Sequence, residues 1–444
     1  MNNKISIIIL AVFACSNLFA GEDTFNMERL PIGNPETRYD FCAVKLNKVF
    51  DTNANTDIRF EQLIETLRMS RIIMLGESHT SEQHHTVQLN IIKGLVDAGE
   101  TVCLALEMFN PAQNEVLENY VSGQITEEEF LDQSDYFNTW GHNYRYYQPI
   151  FNYARVNNVM MYGVNTKHEF ASKIGRGGIQ SLSSEEQTEI PEIDTTNVEH
   201  RFYIKAAMEG MDAISPAQFR NIYAAQCLWD AAMGEGAIKV ARENPESIVV
   251  ILVGSGHVAY NLAIGNIIST RSKFPFSSVI AVDIADTVKE SVMMQVKKSL
   301  DKDKKDAKDK KEVSAEKKMP IMPMMHGGGP DADPYKIVVR SLADFLWGVP
   351  EQKQDKYPSF GFSVEEKGEN GFLVKRVIPK TLAEEKGILR GDIIVEIDGK
   401  TFLTMAQMKK HLSFKNWGEE IKFKILRDGK EIKLKFKIKQ ASSR

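Results

Sequence analysis

Between residues 40 and 290, short runs of apolar residues alternate with amphipathic helical segments. The runs are almost uniformly apolar, which is typical of strands that are covered on both faces. Helices between such strands predict an α/β domain with a mostly parallel sheet flanked by helices. The five runs lie at 71–75, 101–106, 159–163, 247–253 and 278–282.

A second pattern begins near residue 357, where β-branched and aromatic residues occur in short segments between turn signals. The dipeptides Asp398-Gly399 and Asp428-Gly429 are typical of hairpin turns. The pattern predicts a small β-rich domain at 357–440, after an α/β domain at 21–295. Its strand segments are 372–378, 393–397 and 421–426.

Composition changes between the two predicted domains. Residues 297–318 are almost all Lys, Asp and Glu, and a Met-rich stretch and then a Gly/Pro-rich stretch follow them. A mixed-charge tract buries no core and a Gly/Pro tract holds no helix. We therefore predict a linker at 296–334, followed by a connecting segment of undetermined type at 335–356.

The first twenty residues are typical of a secretory signal. Lys4 precedes an apolar run at 5–14, and Ala20 is a small residue suited to cleavage, so 1–20 is predicted to be a signal peptide. Lipidation at Cys15 is the alternative. Export would place the protein in the periplasm or cell envelope, where a lipid on Cys15 would anchor it to the outer membrane. No other stretch is long and apolar enough to span a bilayer.

Net charge limits the classes of partner. A formal charge of −5 provides no electrostatic footprint for nucleic acid. Membrane contact is expected only through the possible lipid anchor.

Polar residues follow four of the apolar runs, at the positions where a parallel sheet has its carboxyl edge. Parallel α/β folds bind their ligands beyond this edge. Two carboxylates and four histidines at one edge therefore predict a functional site. The residues concerned are Glu77, His79, His84, His85, Glu107, Asn165 and His257.

Six motifs occur in a fixed order along this domain and together resemble the ChaN-like family, which belongs with the Tiki and erythromycin-esterase-like proteins. The resemblance covers roughly residues 55–285. The motifs are Leu75-Gly-Glu-Ser-His79, Leu106-Glu-Met-Phe109, Tyr147-Gln-Pro149, Gly163-Val-Asn165, Gln226-Cys-Leu-Trp-Asp230 and Gly254-Ser-Gly-His-Val258.

This resemblance implies a haem-binding protein of the bacterial envelope that takes part in iron acquisition or haem handling. It also implies a homodimer that encloses two haems, with a tyrosine on iron and a histidine near the propionates. Tyr147 and Tyr144 are the candidate iron ligands, since a phenolate oxygen is a known ligand of haem iron. The implied haem-binding residues are His79, His84, His85, Tyr144, Tyr147, Asn165 and His257.

Two other functions stay open. The same site resembles that of Tiki metalloproteases and erythromycin esterases, which implies an esterase-like or peptidase-like hydrolase that uses a divalent metal. Glu77 or Glu107 would then act as general base, with His79 and His257 polarising the target or holding the metal. The sequence contains no His-Glu-x-x-His motif, so a zinc-protease helix is not indicated. A non-catalytic envelope scaffold is the second alternative.

The C-terminal segment resembles a PDZ domain. Ser359-Phe-Gly-Phe362 occupies the position of the carboxylate-binding loop, and Gly391-Asp-Ile-Ile394 with Ile397-Asp-Gly399 reproduces the best-marked run of the family. A PDZ domain binds the C-terminus of a peptide or protein by adding it as a strand to the edge of its sheet. The implied peptide-binding residues are Phe360, Gly361, Phe362, Met405, Met408 and Leu412.

Overall fold

The computed structural model describes residues 26–208, 214–285, 334–352, 355–368 and 371–439. The predicted signal peptide with Cys15, and the predicted linker up to residue 333, lie outside these ranges. Among the helices of the described ranges, none has the length and apolar character that a membrane span requires.

The N-terminal domain is built on an eight-stranded sheet and a separate two-stranded sheet. The strands are β1 (Phe41–Lys45), β2 (Val49–Asp51), β3 (Thr56–Ile58), β4 (Ile72–Glu77), β5 (Thr101–Leu106), β6 (Met160–Gly163), β7 (Ser247–Gly254), β8 (Phe276–Ile284), β9 (Tyr335–Val339) and β10 (Phe345–Pro350).

The larger sheet has the order β3-β2-β10-β8-β4-β7-β5-β6, in which every pair from β10 to β6 is parallel. Strands β4 and β7 lie at its centre and are buried over their whole length. Apolar clusters cover both faces of the sheet. The structure thus confirms the predicted α/β class and its mostly parallel sheet.

Helices connect the strands of this domain and cover the sheet. They are α1 (Phe60–Leu67), α2 (Glu82–Asp97), α3 (Asn114–Val121), α4 (Glu127–Gln133), α5 (Tyr136–Thr139), α6 (Gln148–Val156), α7 (His168–Gly177), α8 (Ser184–Thr188), α9 (Val198–Ala207), α10 (Pro216–Glu243) and α11 (Ile264–Arg271).

The segment that the sequence assigns to a connection, 335–356, contributes two strands to the N-terminal domain. Strand β9 pairs antiparallel with β1, and β10 lies inside the large sheet between β2 and β8. Asp344, just before β10, accepts hydrogen bonds from the backbone N–H and the hydroxyl of Ser278 at 2.8 Å each. These bonds fix the register of β10 against β8. The large sheet thus includes a strand that lies beyond the predicted linker.

The C-terminal domain is a five-stranded antiparallel sheet in the order β11-β12-β13-β14-β15, which confirms the predicted β-rich fold. Its own apolar cluster is centred on buried residues such as Phe423 and Ile425. The elements are β11 (Phe362–Glu366), β12 (Phe372–Val377), α12 (Leu382–Glu385), β13 (Ile393–Ile397), α13 (Met405–Ser413), β14 (Glu420–Arg427) and β15 (Lys430–Lys437).

Candidate functional site at the carboxyl edge of the sheet

The carboxyl ends of β4, β5 and β7 bring the predicted polar residues together. Glu77 is the last residue of β4 and lies opposite Gly254, the last residue of β7. Glu107 directly follows β5, and its Oε2 accepts a hydrogen bond from the Gly254 N–H at 2.7 Å. A Cβ at position 254 would lie 3.2 Å from Nε2 of His79, so a side chain there would crowd this ring.

Glu77 is the centre of the first half of the site. Its Oε1 accepts hydrogen bonds from the Tyr147 hydroxyl at 2.6 Å and from His79 Nδ1 at 2.9 Å. Nδ1 of His85 lies 3.1 Å from the other carboxylate oxygen. Burial alone would raise the pKa of Glu77, but the charge of His85 and the hydrogen bonds from His79 and His85 outweigh it. The pKa of Glu77 is held well below its usual range, so the site contains a buried carboxylate ion.

Glu107 and His257 form the second half. His257 Nε2 lies 3.5 Å from Glu107, and its Nδ1 lies 2.5 Å from Asp230 Oδ1. Burial lowers the pKa of His257, but the carboxylates of Asp230 and Glu107 raise it by more. The pKa of His79 is raised in the same way, against burial, by Glu107 and Glu77. Two imidazoles thus favour the protonated form beside carboxyl groups, which is a pattern suited to acid–base chemistry or to the binding of an anion.

Two of the predicted residues support the edge without entering its centre. His84 Nδ1 accepts a hydrogen bond from the Ser78 N–H at 3.0 Å, and its Nε2 lies 3.2 Å from Asp283. Asn165 donates from its amide to the backbone carbonyl of Glu107 at 2.8 Å. His84 therefore fixes the loop after β4, and Asn165 fixes the end of β5.

Three residues of the helices α9 and α10, which the sequence reasoning did not place in the site, also reach it. Asp230 and Gln226 project from the long helix α10, and the Gln226 amide lies 3.1 Å from His257 Nδ1. His200 of α9 lies 3.5 Å from the other oxygen of Asp230. Gln226 and Asp230 belong to one of the six motifs, and that motif was the only signal for them. A helix interior gives no indication of which sheet edge it faces.

The two tyrosines expected to meet iron are both fully buried. Tyr147 donates to Glu77, and Tyr144 donates to Glu127 at 3.1 Å. Burial raises the pKa of both phenols, Tyr147 well above its usual value and with further help from Glu77, so both are neutral hydroxyls here. Neither oxygen is presented to a ligand in this arrangement.

Trp140 and His142 form the half-buried side of the site. The His142 ring lies 4.4 Å from the His79 ring and 5.2 Å from Trp140, measured between centroids. Burial and the neighbouring charge of His79 lower the pKa of His142 to about 3, so this imidazole is neutral at physiological pH. The indole Nε1 of Trp140 has no hydrogen-bond partner among the described residues. The site therefore contains one neutral imidazole and one buried N–H donor.

The described residues contain no group of three or more His, Cys, Asp or Glu side chains arranged to hold a metal ion. Three ring nitrogens at this edge already face a carboxylate oxygen. Nδ1 of His79 and Nδ1 of His85 lie 2.9 Å and 3.1 Å from Glu77, and Nε2 of His257 lies 3.5 Å from Glu107. A divalent metal would have to displace these contacts.

The residues predicted to bind a peptide lie in the loop before β11, at the start of β11 and on α13. Gly361 has φ +76°, and a Cβ there would lie 2.2 Å from the Thr381 side chain, so only glycine suits this loop. Strand β11, which starts at Phe362, is an edge strand of its sheet. Phe360 and Met408 are buried in the domain core, and Met405 and Leu412 pack against it. Peptide binding by these six residues stays a prediction.

Residues 63–268 match the family model described as haem-binding uptake, Tiki superfamily, ChaN. Residues 358–438 match the PDZ domain model. The chain carries a ChaN-family domain and a PDZ domain. The ChaN-family match begins inside α1 and ends inside α11, so it includes every residue of the carboxyl-edge site.

Curated relatives are matched over short stretches only. A probable periplasmic serine protease do/HhoA-like of Haemophilus influenzae is 31% identical over 93 residues, which are 21% of this chain and 19% of that protein. Periplasmic serine endoprotease DegP of Escherichia coli is 28% identical over 74 residues, 17% of this chain and 16% of DegP. The chain therefore spans less than a fifth of the length of these relatives, through its PDZ region.

Solved structures resemble the ChaN-family domain at low identity. The structure titled cofacial heme binding to ChaN of Campylobacter jejuni is 20% identical with a TM-score of 0.44, and the match covers 53% of this chain and 90% of that one. A mutant of erythromycin esterase EreC in its open conformation is 13% identical with a TM-score of 0.34, covering 56% of this chain and 78% of that one.

Proposed function

We propose that the protein binds haem through its ChaN-family domain and docks a peptide or protein C-terminus through its PDZ domain. The match of residues 63–268 to a haem-binding uptake family carries this proposal. That region contains the whole carboxyl-edge site, including the half-buried pair Trp140 and His142. Haem handling or iron acquisition in the bacterial envelope is the physiological role that follows.

His142 is the iron ligand in this proposal, in place of the tyrosines that the resemblance suggests. Haem iron accepts a neutral imidazole as an axial ligand, and the lowered pKa of His142 keeps its ring neutral. Tyr144 and Tyr147 would first have to give up their hydrogen bonds to buried or partly buried carboxylates. The porphyrin would lie against the half-buried side chain of Trp140.

Export and assembly belong to the same proposal. The predicted signal peptide, and PDZ relatives that are named as periplasmic proteases, support a location in the periplasm or cell envelope. The implied homodimer would close a second copy of the domain over the haem. Lipidation at Cys15 remains the alternative to a soluble exported form.

The proposal is tested by titrating haemin into the chain lacking residues 1–20 and following the Soret band. We expect saturable binding that His142→Gln weakens at least about tenfold, which corresponds to the loss of one good interaction. His168→Gln, at an exposed histidine on α7, is the matched control. Loss of binding in Tyr144→Phe or Tyr147→Phe, with His142→Gln unaffected, would assign the iron to a tyrosine. Absence of saturable binding would overturn the haem proposal.

A hydrolase is the second candidate, and one observation favours it. Two imidazoles with raised pKa values face Glu77, Glu107 and Asp230 at one buried edge, which is a complete set of acids and bases. Glu77 or Glu107 would serve as base on water, with His79 and His257 as proton donors to the leaving group. Ester and peptide substrates, assayed with and without added divalent cations, should then be cleaved by the wild type and not by His79→Ala. Equal rates in both proteins would exclude this site as the source of activity.

A further inference from the structure

The groove-lining helix of the PDZ domain also contacts the ChaN-family domain. One face of α13 carries Met405, Met408 and Leu412, which pack into the PDZ core. A neighbouring face carries Ala406, Lys409, Lys410 and Ser413, spaced so that they lie on one side of a helix. Ala406 packs against the apolar cluster of the ChaN-family domain. This single helix of nine residues thus packs against both the PDZ domain core and the ChaN-family domain.

The contacts of this second face are directed at one short segment, residues 136–143, which we call the site wall because it contains Trp140 and His142. Lys409 Nζ donates to the backbone carbonyl of Phe137 at 3.0 Å. Asn143 donates from its amide to the backbone carbonyl of Ser413 at 2.8 Å. These two hydrogen bonds lie on either side of Trp140 and His142 in the chain. They therefore hold both ends of the site wall.

Further contacts hold the approach to the site wall from each direction. Lys410 pairs with Asp132 at 2.7 Å and with Glu128 at 3.3 Å, both on α4. Arg145 donates to the Asn416 side chain at 2.8 Å. The site wall itself has few regular bonds, since α5 is only four residues long. Its aromatic residues pack against the ChaN-family core, and α13 of the other domain adds contacts at both of its ends.

We propose that α13 positions the site wall, so that a peptide bound in the PDZ groove alters the haem site through this helix. Lys409 and Lys410 are positioning residues in this account, because they act on Trp140 and His142 through the backbone that they hold. The coupling to haem and to peptide rests on the proposed function. The positioning itself rests only on the contacts across the domain boundary.

The expected peptide groove and the site wall lie against neighbouring faces of α13, which gives the coupling its physical route. An added strand must enter between β11 and α13, where the Met405 N–H now donates to Glu366 Oε1 at 2.5 Å. A peptide there orders the helix or displaces it. Either change alters the positions of Phe137 and Asn143, which are hydrogen-bonded to Lys409 and Ser413. Coupling between two sites of this kind is typically five- to a hundredfold in affinity, in order of magnitude.

Hydrogen exchange measured by mass spectrometry on the full chain tests the positioning role without any ligand. In Lys409→Met with Lys410→Met, we expect amides of residues 136–143 to exchange about tenfold faster, since their local opening becomes easier. Lys430→Met with Lys433→Met, two exposed lysines on the outer hairpin, is the matched control and should leave the site wall unchanged. Unchanged exchange of the site wall in the first variant, with the fold intact, would overturn the proposal.

A second arm uses the wild-type protein and a pentapeptide that ends in valine with a free carboxylate, and its C-terminal amide as control. Binding is first measured by fluorescence anisotropy of the labelled peptide. Bound peptide should slow exchange of the site wall about fivefold and change haemin affinity by a similar factor. Peptide that binds without either effect would overturn the coupling. Failure of the peptide to bind would count against the proposed peptide-binding function, while the lysine variants decide the positioning role.

Discussion

Tyr147 donates its hydroxyl hydrogen to Oε1 of Glu77 at 2.6 Å, and both side chains are buried. The same oxygen also accepts from His79, so a phenol and an imidazole together stabilise one carboxylate ion. A hydrogen bond to a charged, buried group is among the stronger ones in proteins. The tyrosine that matches the family motif is therefore part of the support of Glu77 in this structure.

Replacing Tyr147 by Phe should destabilise the protein without removing haem binding. The change leaves a buried carboxylate oxygen with one donor fewer, at a cost of about 2 kcal/mol in the free energy of unfolding. Urea unfolding measures this cost, and haemin titration of the same variant should give the wild-type affinity. Tyr120→Phe, which removes a hydroxyl bonded to the neutral Asn152 at 3.1 Å, is the control and should cost about 1 kcal/mol. A stable variant that no longer binds haemin would contradict this account.

The central strands and the carboxyl-edge site were predictable because they depend on local pattern and on one rule of topology. Each apolar run of the N-terminal domain became a parallel strand, and the residues after those runs met at one edge. Glu77, Glu107 and His257 needed no long-range information beyond the rule that parallel strands share their ends. The positions of Asp230 and His200 were not predictable in this way, because they depend on how α9 and α10 dock across the sheet.

Strand β10 was missed for a different physical reason. Its residues read as a short apolar segment after a long charged tract, and nothing local indicates that this segment pairs with β8. Pairing of distant strands is set by the fit of side chains on the covered faces, such as Phe345 and Leu346 in two different clusters. The predicted domain boundary near residue 295 therefore separates strands that the structure places in one sheet.

Truncation should reveal this shared sheet. A chain of residues 21–285 lacks β10, which leaves the edge of β8 open and detaches β2 and β3 from the large sheet. An exposed edge of this kind promotes aggregation, so we expect little soluble protein. A chain of residues 21–352 keeps β10 and should be soluble, with the circular dichroism of a folded α/β domain. Cooperative unfolding of the shorter chain at the same temperature as the longer one would refute the role given to β10.

The stability of the protein should be greatest near pH 6.5, because folding raises the pKa of some of its histidines and lowers that of others. The raised pKa values of His79 and His257 give stability that is fully present below the unfolded value of about 6.5 and is lost as the pH rises through the folded values. His142, whose pKa is lowered to about 3, stays neutral while the unfolded chain takes up a proton, so stability falls as the pH drops below about 6.5. The lowered pKa of Glu77 adds a further loss below about pH 4.3.

Thermal unfolding between pH 4 and 9 measures both slopes. His142→Gln should flatten the acidic side, and His79→Gln should flatten the alkaline side, so each variant serves as the control for the other. A profile that stays level across this range in the wild type would show that these groups titrate alike in the folded and unfolded chains.

Asp392 should be the most sensitive charged residue of the PDZ domain. Its side chain is 1% exposed, and its oxygens accept from Arg427 Nε at 2.7 Å and Nη2 at 2.8 Å. It also accepts from the Leu389 N–H at 2.7 Å, so Arg427→Met leaves a buried carboxylate with a single donor.

Removing one partner of a buried ion pair costs about 3 to 5 kcal/mol, and the partial exposure of Arg427 places the expected loss near the lower end, about 3 kcal/mol. Calorimetry should show the PDZ transition of Arg427→Met shifted to lower temperature, with the ChaN-family transition nearly unchanged. Lys424→Met, which removes a more exposed pair with Glu396 at 2.6 Å, is the control and should destabilise the domain much less. Equal losses in the two variants would mean that burial of Asp392 does not determine the strength of its pairing.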